Sequence, residues 1–261
     1  MNTEMTSEPK QPAKGRRRLF KFFKIFFGVI LLLVVAGVVA DWIWVRSGDN
    51  QWKEVIDRDG VVVHSLKAPG SFVVQLKAKK RMKTNLGGLI SAMQDMEAMC
   101  SEGCYEAVIV DRVDSPTSQI VYTYSLFDMP FPLTDREWVL ENKFRQDPDT
   151  REIIYKIDAV PYLVPPKEGF VRITHFNNKW RFIPVGKGEV DVEWYMDMSY
   201  GGYVANLFHN LVIPNIMPES MHEIERIVQD EKYQNAKFEF VTEIDEVTAE
   251  GDEVVMESTA Y

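Results

Sequence analysis

Cysteine is scarce in this chain of 261 residues, which has only Cys100 and Cys104. Two ligands spaced C-x3-C cannot close a four-coordinate zinc site, and no second pair or His-x-x-x-His follows, so no metal is expected. Two small loop thiols are the plain reading. A local disulfide is the alternative if the chain faces an oxidising compartment. Histidine is as sparse: His64, His175, His209 and His222 are scattered over two predicted strands and a helix, and His222-Glu223 lacks the second His of a zincin helix. Gly-x-Ser-x-Gly, P-loop and Gly-x-Gly-x-x-Gly motifs are missing. No catalytic residue and no cofactor are expected from these gaps. Basic residues are missing from Phe238 to Tyr261, which holds eight acidic ones. Low apolar content and acidic repulsion make 235–261 an acidic, mostly mobile tail, in which Phe238 to Val241 could add an edge strand.

The net charge of -9 hides an asymmetry. Of the 30 Lys/Arg and 39 Asp/Glu, seven and two fall in Met1 to Lys24, which leaves 23 against 37 and a body at -14. An acidic body excludes nucleic acid as a partner, because phosphates demand a Lys/Arg surface. The basic block reads as an address. Residues 1–18 form a disordered basic tail, and 19–45 carry the uncharged run Ile25 to Ala40 between Lys21 and Lys24 on one side and Trp42 and Trp44 on the other. That composition fits an uncleaved transmembrane anchor with an interfacial aromatic belt. The positive-inside rule then puts the N-terminus in the cytoplasm and the rest on the periplasmic, extracytoplasmic side of the inner membrane. A signal peptide cleaved near Ala40, giving a secreted protein, is the competing reading. A linker of residues 46–51 follows.

Beyond Trp52 the strand signals dominate. Val61 to Lys67 and Phe72 to Lys80 flank Ala-Pro-Gly-Ser as a hairpin. Asn85 can cap a helix carrying Leu86, Leu89, Ile90, Met93 and Met96. Strands are then expected over Tyr105 to Val113, Ser118 to Phe127, Asp135 to Arg145, Arg151 to Val160, Phe170 to Phe176 and Lys179 to Pro184, with Asn177-Asn178 as a turn. In the last strand Val190, Val192, Trp194, Met196 and Met198 alternate with charged residues. After the Gly201-Gly202 corner, Val204, Leu207, Phe208, Leu211 and Val212 switch to helical spacing. Met217, Met221, Ile224 and Val228 continue it past Pro214 and Pro218, which predict a bend. Strands bracketed by two helices make the class α+β with an antiparallel meander.

Specific residues carry a family resemblance. Met129-Pro-Phe-Pro-Leu-Thr-Asp-Arg136-Glu-Trp resembles the Met-Pro-Trp-Pro-x-x-x-Arg-Asp-aromatic signature of START (StAR-related lipid-transfer) domains. Val171-Arg172 through Asn178-Lys-Trp180-Arg-Phe-Ile-Pro184 is similar to their Val-Arg, turn, Trp, Pro hairpin, and Gly201-Gly202 stands where they carry a Gly-Gly corner before the last helix. The match covers Trp52 to Asp230, within a START-like lipid-binding domain over 52–234. It implies a helix-grip fold, a curved antiparallel sheet wrapped around a long C-terminal helix, with one lipid in an internal tunnel and no catalytic machinery. The Met129 loop, with Pro130, and the Gly201-Gly202 corner would open for the lipid, and for Arg136 a structural role anchoring the Met129 loop is expected. The chain departs from the family at Glu137, at Val204 and at Asn142, where sterol-binding relatives often carry Arg.

Strand parity puts Trp138 and Asn142 on one face and makes Arg172 the second polar residue expected inward. Trp194, Met198, Phe208, Leu211 and Val212 complete the expected tunnel wall. For Arg172 a structural ion pair to a sheet carboxylate is the equal alternative. The function expected is binding, and transfer, of a hydrophobic lipid whose identity is open (sterol, phospholipid or other). A scaffold using the same fold for protein contacts, with the acidic tail as docking arm, and a cyclase or hydrolase of the same superfamily are the alternatives.

Overall fold

The computed structural model describes residues 14–100, 103–186 and 188–244, and the chain divides into two compact units that meet between Ser47 and Gly48. The first is one helix, α1 (Lys14–Arg46), whose stretch Lys21–Arg46 is long and apolar enough to cross a membrane. At its end the Arg46 guanidinium lies 4.1 Å from the centre of the Trp42 ring, and the Ser47 hydroxyl donates to the Trp44 carbonyl at 2.7 Å. An aromatic and a basic residue at a helix terminus suit a water-lipid boundary. Residues 1–13 of the expected basic tail lie outside the described residues.

The second unit is an α+β helix-grip fold. Its strands are β1 (Trp52–Arg58), β2 (Val61–Leu66), β3 (Gln75–Lys83), β4 (Cys104–Ser115), β5 (Ser118–Phe127), β6 (Arg136–Gln146), β7 (Ile153–Ala159), β8 (Val171–Arg172), β9 (His175–Gly186) and β10 (Glu189–Ser199). Its helices are α2 (Leu86–Gln94), α3 (Met96–Met99), α4 (Tyr203–Ile227) and α5 (Glu231–Gln234). The sheet order is β1-β2-β3-β10-β9-β7-β6-β5-β4, antiparallel throughout except that β8 adds in parallel to β6. Pairing of β3 with the last strand, Ala78 opposite Trp194, turns the expected meander into a sheet in which the first three strands continue from β10.

A strand outside the expected set, Trp52–Arg58, forms the sheet edge through a tight Asp59-Gly60 turn, and three local expectations are corrected. The strand expected over Phe170 to Phe176 shrinks to two residues at β8. Asn177 and Asn178 are not a turn but lie inside β9, where Asn178 Oδ1 accepts from the Asp197 amide at 3.2 Å across β10. Residues 235–244 are an ordered segment without an edge strand: Phe240 is buried, and Gln146 exchanges hydrogen bonds with the Thr242 backbone at 2.9 and 2.8 Å. The rest of the expected acidic tail, 245–261, lies outside the described residues.

The core lies on the concave face. Alternation along β10 buries Val190, Val192, Met196 and Met198, and β9 buries Phe176, Asn178, Trp180 and Phe182. Two covers share this face. The long helix α4 crosses β1, β2, β3 and β10, burying Ala205, Ile213, Met217, Met221, Ile224 and Val228, and runs through Pro214 and Pro218 as one helix. The remaining half of the sheet is covered by α2 and α3.

Candidate ligand cavity

Between the α2–α3 cover and strands β5, β6, β7, β9 and β10 lies a cavity of about 210 Å³. Met93, Met96 and Met99 line its roof. These flexible side chains adapt to an irregular neighbour. Aromatic stacks line the walls: Trp194 on Trp180 with ring centres 4.5 Å apart, and Phe144 on Tyr155 at 4.0 Å. Trp138 sits between Phe127 at 4.7 Å and Phe176 at 5.0 Å, with the Tyr200 ring at 6.1 Å on the side of the Gly201 corner. Burial pushes the Tyr200 hydroxyl pKa up to about 12, so this ring stays neutral.

One polar network reaches the cavity wall. Asn142 is buried and donates from Nδ2 to the Val121 carbonyl and to Thr123 Oγ1, each at 3.0 Å, while its Oδ1 accepts from the Tyr155 hydroxyl at 2.7 Å. Burial raises the pKa of that hydroxyl and keeps it a donor. Beside it, Gln94 of the roof donates to Gln119 of β5.

The roof is held from outside by the chain that follows α4. Asp95 caps α3, accepting from the amides of Glu97 and Ala98, and takes Lys232 Nζ at 2.9 Å and the Tyr233 hydroxyl at 2.8 Å. The Lys232 ammonium first, and then the Ala98 amide, hold its carboxyl down at about 2. At the other end of α2 Asn85 is the cap, as its position predicts, accepting from the Gly88 amide at 2.6 Å. Glu243 adds a carboxylate that accepts from the Leu86 and Gly87 amides at 3.2 and 2.8 Å. Gly87 is required there, since a Cβ would overlap the Ala236 carbonyl.

At the sheet end near Tyr200, Arg136 is 3% exposed and meets only carbonyls: Nε donates to Tyr200 O at 2.7 Å, Nη2 to Gly201 O at 3.1 Å and Nη1 to Thr134 O. Burial lowers the guanidinium pKa, yet leaves it far above neutral. Arg136 thus ties the Met129–Asp135 loop to the Gly201-Gly202 corner, whose positive φ values of 72° and 85° suit glycine. Met129 is half-buried, its amide donating to Asp135 Oδ1 at 3.2 Å, and Pro130 is exposed.

Of the residues expected to line a tunnel, Trp138, Asn142 and Trp194 stand on this cavity. Five do not. Arg172 turns away: its Nε lies 2.9 Å from Glu137 Oε1 and its Nη atoms hold the carbonyls of Pro161, Val164 and Pro165, because β8 ends after Arg172 and the parity carried back from Phe176 breaks. Met198 is buried in the core outside the cavity. Leu211 is 64% exposed, and Phe208 and Val212 are half-buried and off the cavity. At about 100° per residue, a helix that buries Ala205, His209, Ile213 and Met217 turns Leu211 outward. The helical wall comes instead from Met93, Gln94, Met96 and Met99, of which Met93 and Met96 were expected only as apolar positions of the Asn85 helix; of the aromatic wall, Phe144 shares the strand parity of Trp138 and Asn142.

A second cleft of about 530 Å³ is lined by Asn85, Pro184, Glu189, Gln234 and Glu243, among others. Val190, Phe238 and Val241 share its lining with the Glu189 and Glu243 carboxylates, so it is more polar than the space beneath α2 and α3. Cys100 and Cys104, read first as loop thiols, are joined as a disulfide, the alternative weighed for them. Among the described residues no group of His, Cys, Asp and Glu has a metal-binding arrangement.

Solved structures share this architecture. A fragment of a STAR-related lipid transfer protein from Xanthomonas axonopodis superposes with a TM-score of 0.61 at 21% identity, over 70% of this chain and 100% of that one. The chain has the START fold. Human StAR-related lipid transfer protein 5 gives a TM-score of 0.57 at 16% identity, over 77% of this chain and 97% of its own. Human STARD10 gives 0.61 at 14%, over 72% and 76%. In sequence, an uncharacterized protein of Pseudomonas aeruginosa is 24% identical over 163 residues, 62% of this chain and 78% of the relative. No family model matches the chain. On the START fold the Met129–Trp138 segment and the Gly201-Gly202 corner, distant in sequence, meet through Arg136.

Proposed function

We propose that this protein is a membrane-tethered carrier or presenter of a hydrophobic lipid, held in the cavity beneath α2 and α3. The cavity itself carries the reading: a space walled by stacked aromatics and roofed by methionines, inside a START fold. Apolar burial contributes about 25 cal/mol per Å², so such a space favours an apolar guest over water. The Trp138, Asn142 and Trp194 side chains would contact it, and Arg136 would govern the loops at one end. The helix α1 acts as an uncleaved anchor with its basic flank in the cytoplasm, which puts the domain on the far side of the membrane. A Cys100–Cys104 bond suits that oxidising side. The START domains' own names speak of lipid transfer, and the short link from Arg46 to Trp52 would restrict such transfer to the neighbourhood of the bilayer.

The test is recovery of ligand. The full chain, purified from membranes in detergent, is extracted with organic solvent and the extract read by mass spectrometry against Val121→Phe, which narrows the cavity. One lipid species enriched with the native chain and depleted in the variant is expected. Identical extracts from both proteins, with the variant folded by circular dichroism, would reject the reading.

A further inference from the structure

The cavity's polar inventory says what class of lipid it takes, an inference that rests on the carrier reading above. Among the described residues none that lines the cavity carries a formal charge. Two of the residues that line it carry an unspent donor: Trp138 Nε1 and Trp194 Nε1 are both fully buried, and no protein acceptor lies within hydrogen-bonding reach of either. Of the other polar groups on the wall, Asn142 and the Tyr155 hydroxyl satisfy one another and Gln94 bonds to Gln119, and the uncharged Ser125 and Asn178 also belong to the polar lining. Buried indole N–H groups ordinarily find acceptors.

We infer that the ligand is an uncharged lipid bearing acceptor oxygens of the ester, ketone or ether kind, taken up by the indole N–H groups of Trp138 and Trp194. An ionised carboxylate or phosphate inside this space would meet no counter-charge, and burying an unpaired ion is far more unfavourable than burying a neutral oxygen. A pure hydrocarbon would leave both indoles unpaired. The spacing of the two donors adds a constraint on shape. Trp138 packs on Phe176 and Trp194 on Trp180, which are four residues apart on β9, so the indoles are separated along the strand by on the order of 13 Å. A single oxygen cannot serve both, and a slender ligand with an oxygen near each end can. At about 210 Å³ the cavity is below the ~300 to 1,000 Å³ of most small-molecule sites, which also favours a slender guest.

The probes are dodecane, methyl laurate and laurate, offered together to the detergent-solubilised full chain at a pH that ionises laurate. Retention on the chain is read by native mass spectrometry. The variants are Trp138→Phe and Trp194→Phe, each of which keeps a ring and removes the N–H. Comparing each variant with the native chain cancels partition of the probes into detergent. The expectation is that methyl laurate is retained over laurate by roughly tenfold or more. The ratio of methyl laurate to dodecane should fall about three- to tenfold in at least one Trp→Phe variant, the worth of one neutral hydrogen bond. Retention of laurate equal to its ester, or an unchanged ester-to-alkane ratio in both variants, overturns the inference while leaving a lipid carrier standing. Retention of none of the three overturns the carrier reading with it.

Discussion

The Asn142–Tyr155 pair offers the sharpest energetic prediction. Asn142 is 7% exposed and Tyr155 4%, and the 2.7 Å bond between them is a side-chain link from β6 to β7 at the cavity wall. Asn142→Leu keeps the volume but strands the Tyr155 hydroxyl and removes the donors to Val121 O and Thr123 Oγ1, at 3.0 Å each. An unsatisfied buried donor costs about 1 to 3 kcal/mol and each of the two lost bonds about 1, so the variant should lose roughly 3 to 5 kcal/mol. Tyr155→Phe preserves the stack on Phe144 and leaves Asn142 Oδ1 without its donor, a loss of about 1 to 2 kcal/mol. The double variant removes both partners, so it should be more stable than the sum of the singles predicts, by about 1 kcal/mol. Urea unfolding of the full chain in micelles, followed by tryptophan fluorescence with the slope checked for constancy, measures all four corners. Additivity within about 0.5 kcal/mol would refute the reasoning, because it would mean that the two groups do not depend on each other.

Other consequences follow from the anchors of the cavity. Arg136→Ala should destabilise by about 2 to 4 kcal/mol and raise hydrogen exchange in both the Met129–Asp135 loop and the Gly201 corner, since three carbonyls lose one shared donor; faster exchange in only one of them would contradict the tie. Asp95 has a folded value of about 2 against an ordinary 3.8, so its contribution is fully present above 3.8 and is lost as pH falls toward 2. Because Lys232 is 56% exposed that contribution is about 1 kcal/mol, and Asp95→Asn should flatten this limb of the pH profile and loosen α2–α3 in hydrogen exchange. Leu211→Glu should leave stability within about 0.5 kcal/mol, whereas Ile213→Ala, at a position 4% exposed, should lose about 2 to 4 kcal/mol in the same urea titration.

Much of the fold was legible because its signals are local. Alternation wrote out β10, Asn85 marked the start of α2, and the Gly201-Gly202 corner separated the last strand from α4. The same parity turned Trp138, Asn142 and Trp194 inward, where they meet the cavity. What escaped depends on partners far along the chain. The first half of α4 is apolar on several sides, with Val204 and Leu211 outward and Ala205 and Ile213 inward, so spacing alone could not choose its buried face. Asn177-Asn178 has the composition of a turn, and only its long-range pairing with Met196-Asp197 of β10 and Ile157-Asp158 of β7 makes it strand. Phe240 and Glu243 sit in a sequence whose acidic bias suggests a mobile tail, yet one is buried and the other caps α2. The expected tunnel wall therefore moved from α4 to the methionines of α2 and α3, whose role depends on where the helices are tied down.

The central claim is that a lipid sits beneath α2 and α3. The most direct measurement is photocrosslinking of the full chain in its membrane with a diazirine-bearing fatty methyl ester, followed by peptide mass spectrometry. The account predicts label on the peptides that carry Met93–Met99, Trp138–Phe144 and Trp194. Label confined to the outer face of α4, at Val204 and Leu211, or to α1 alone would contradict it.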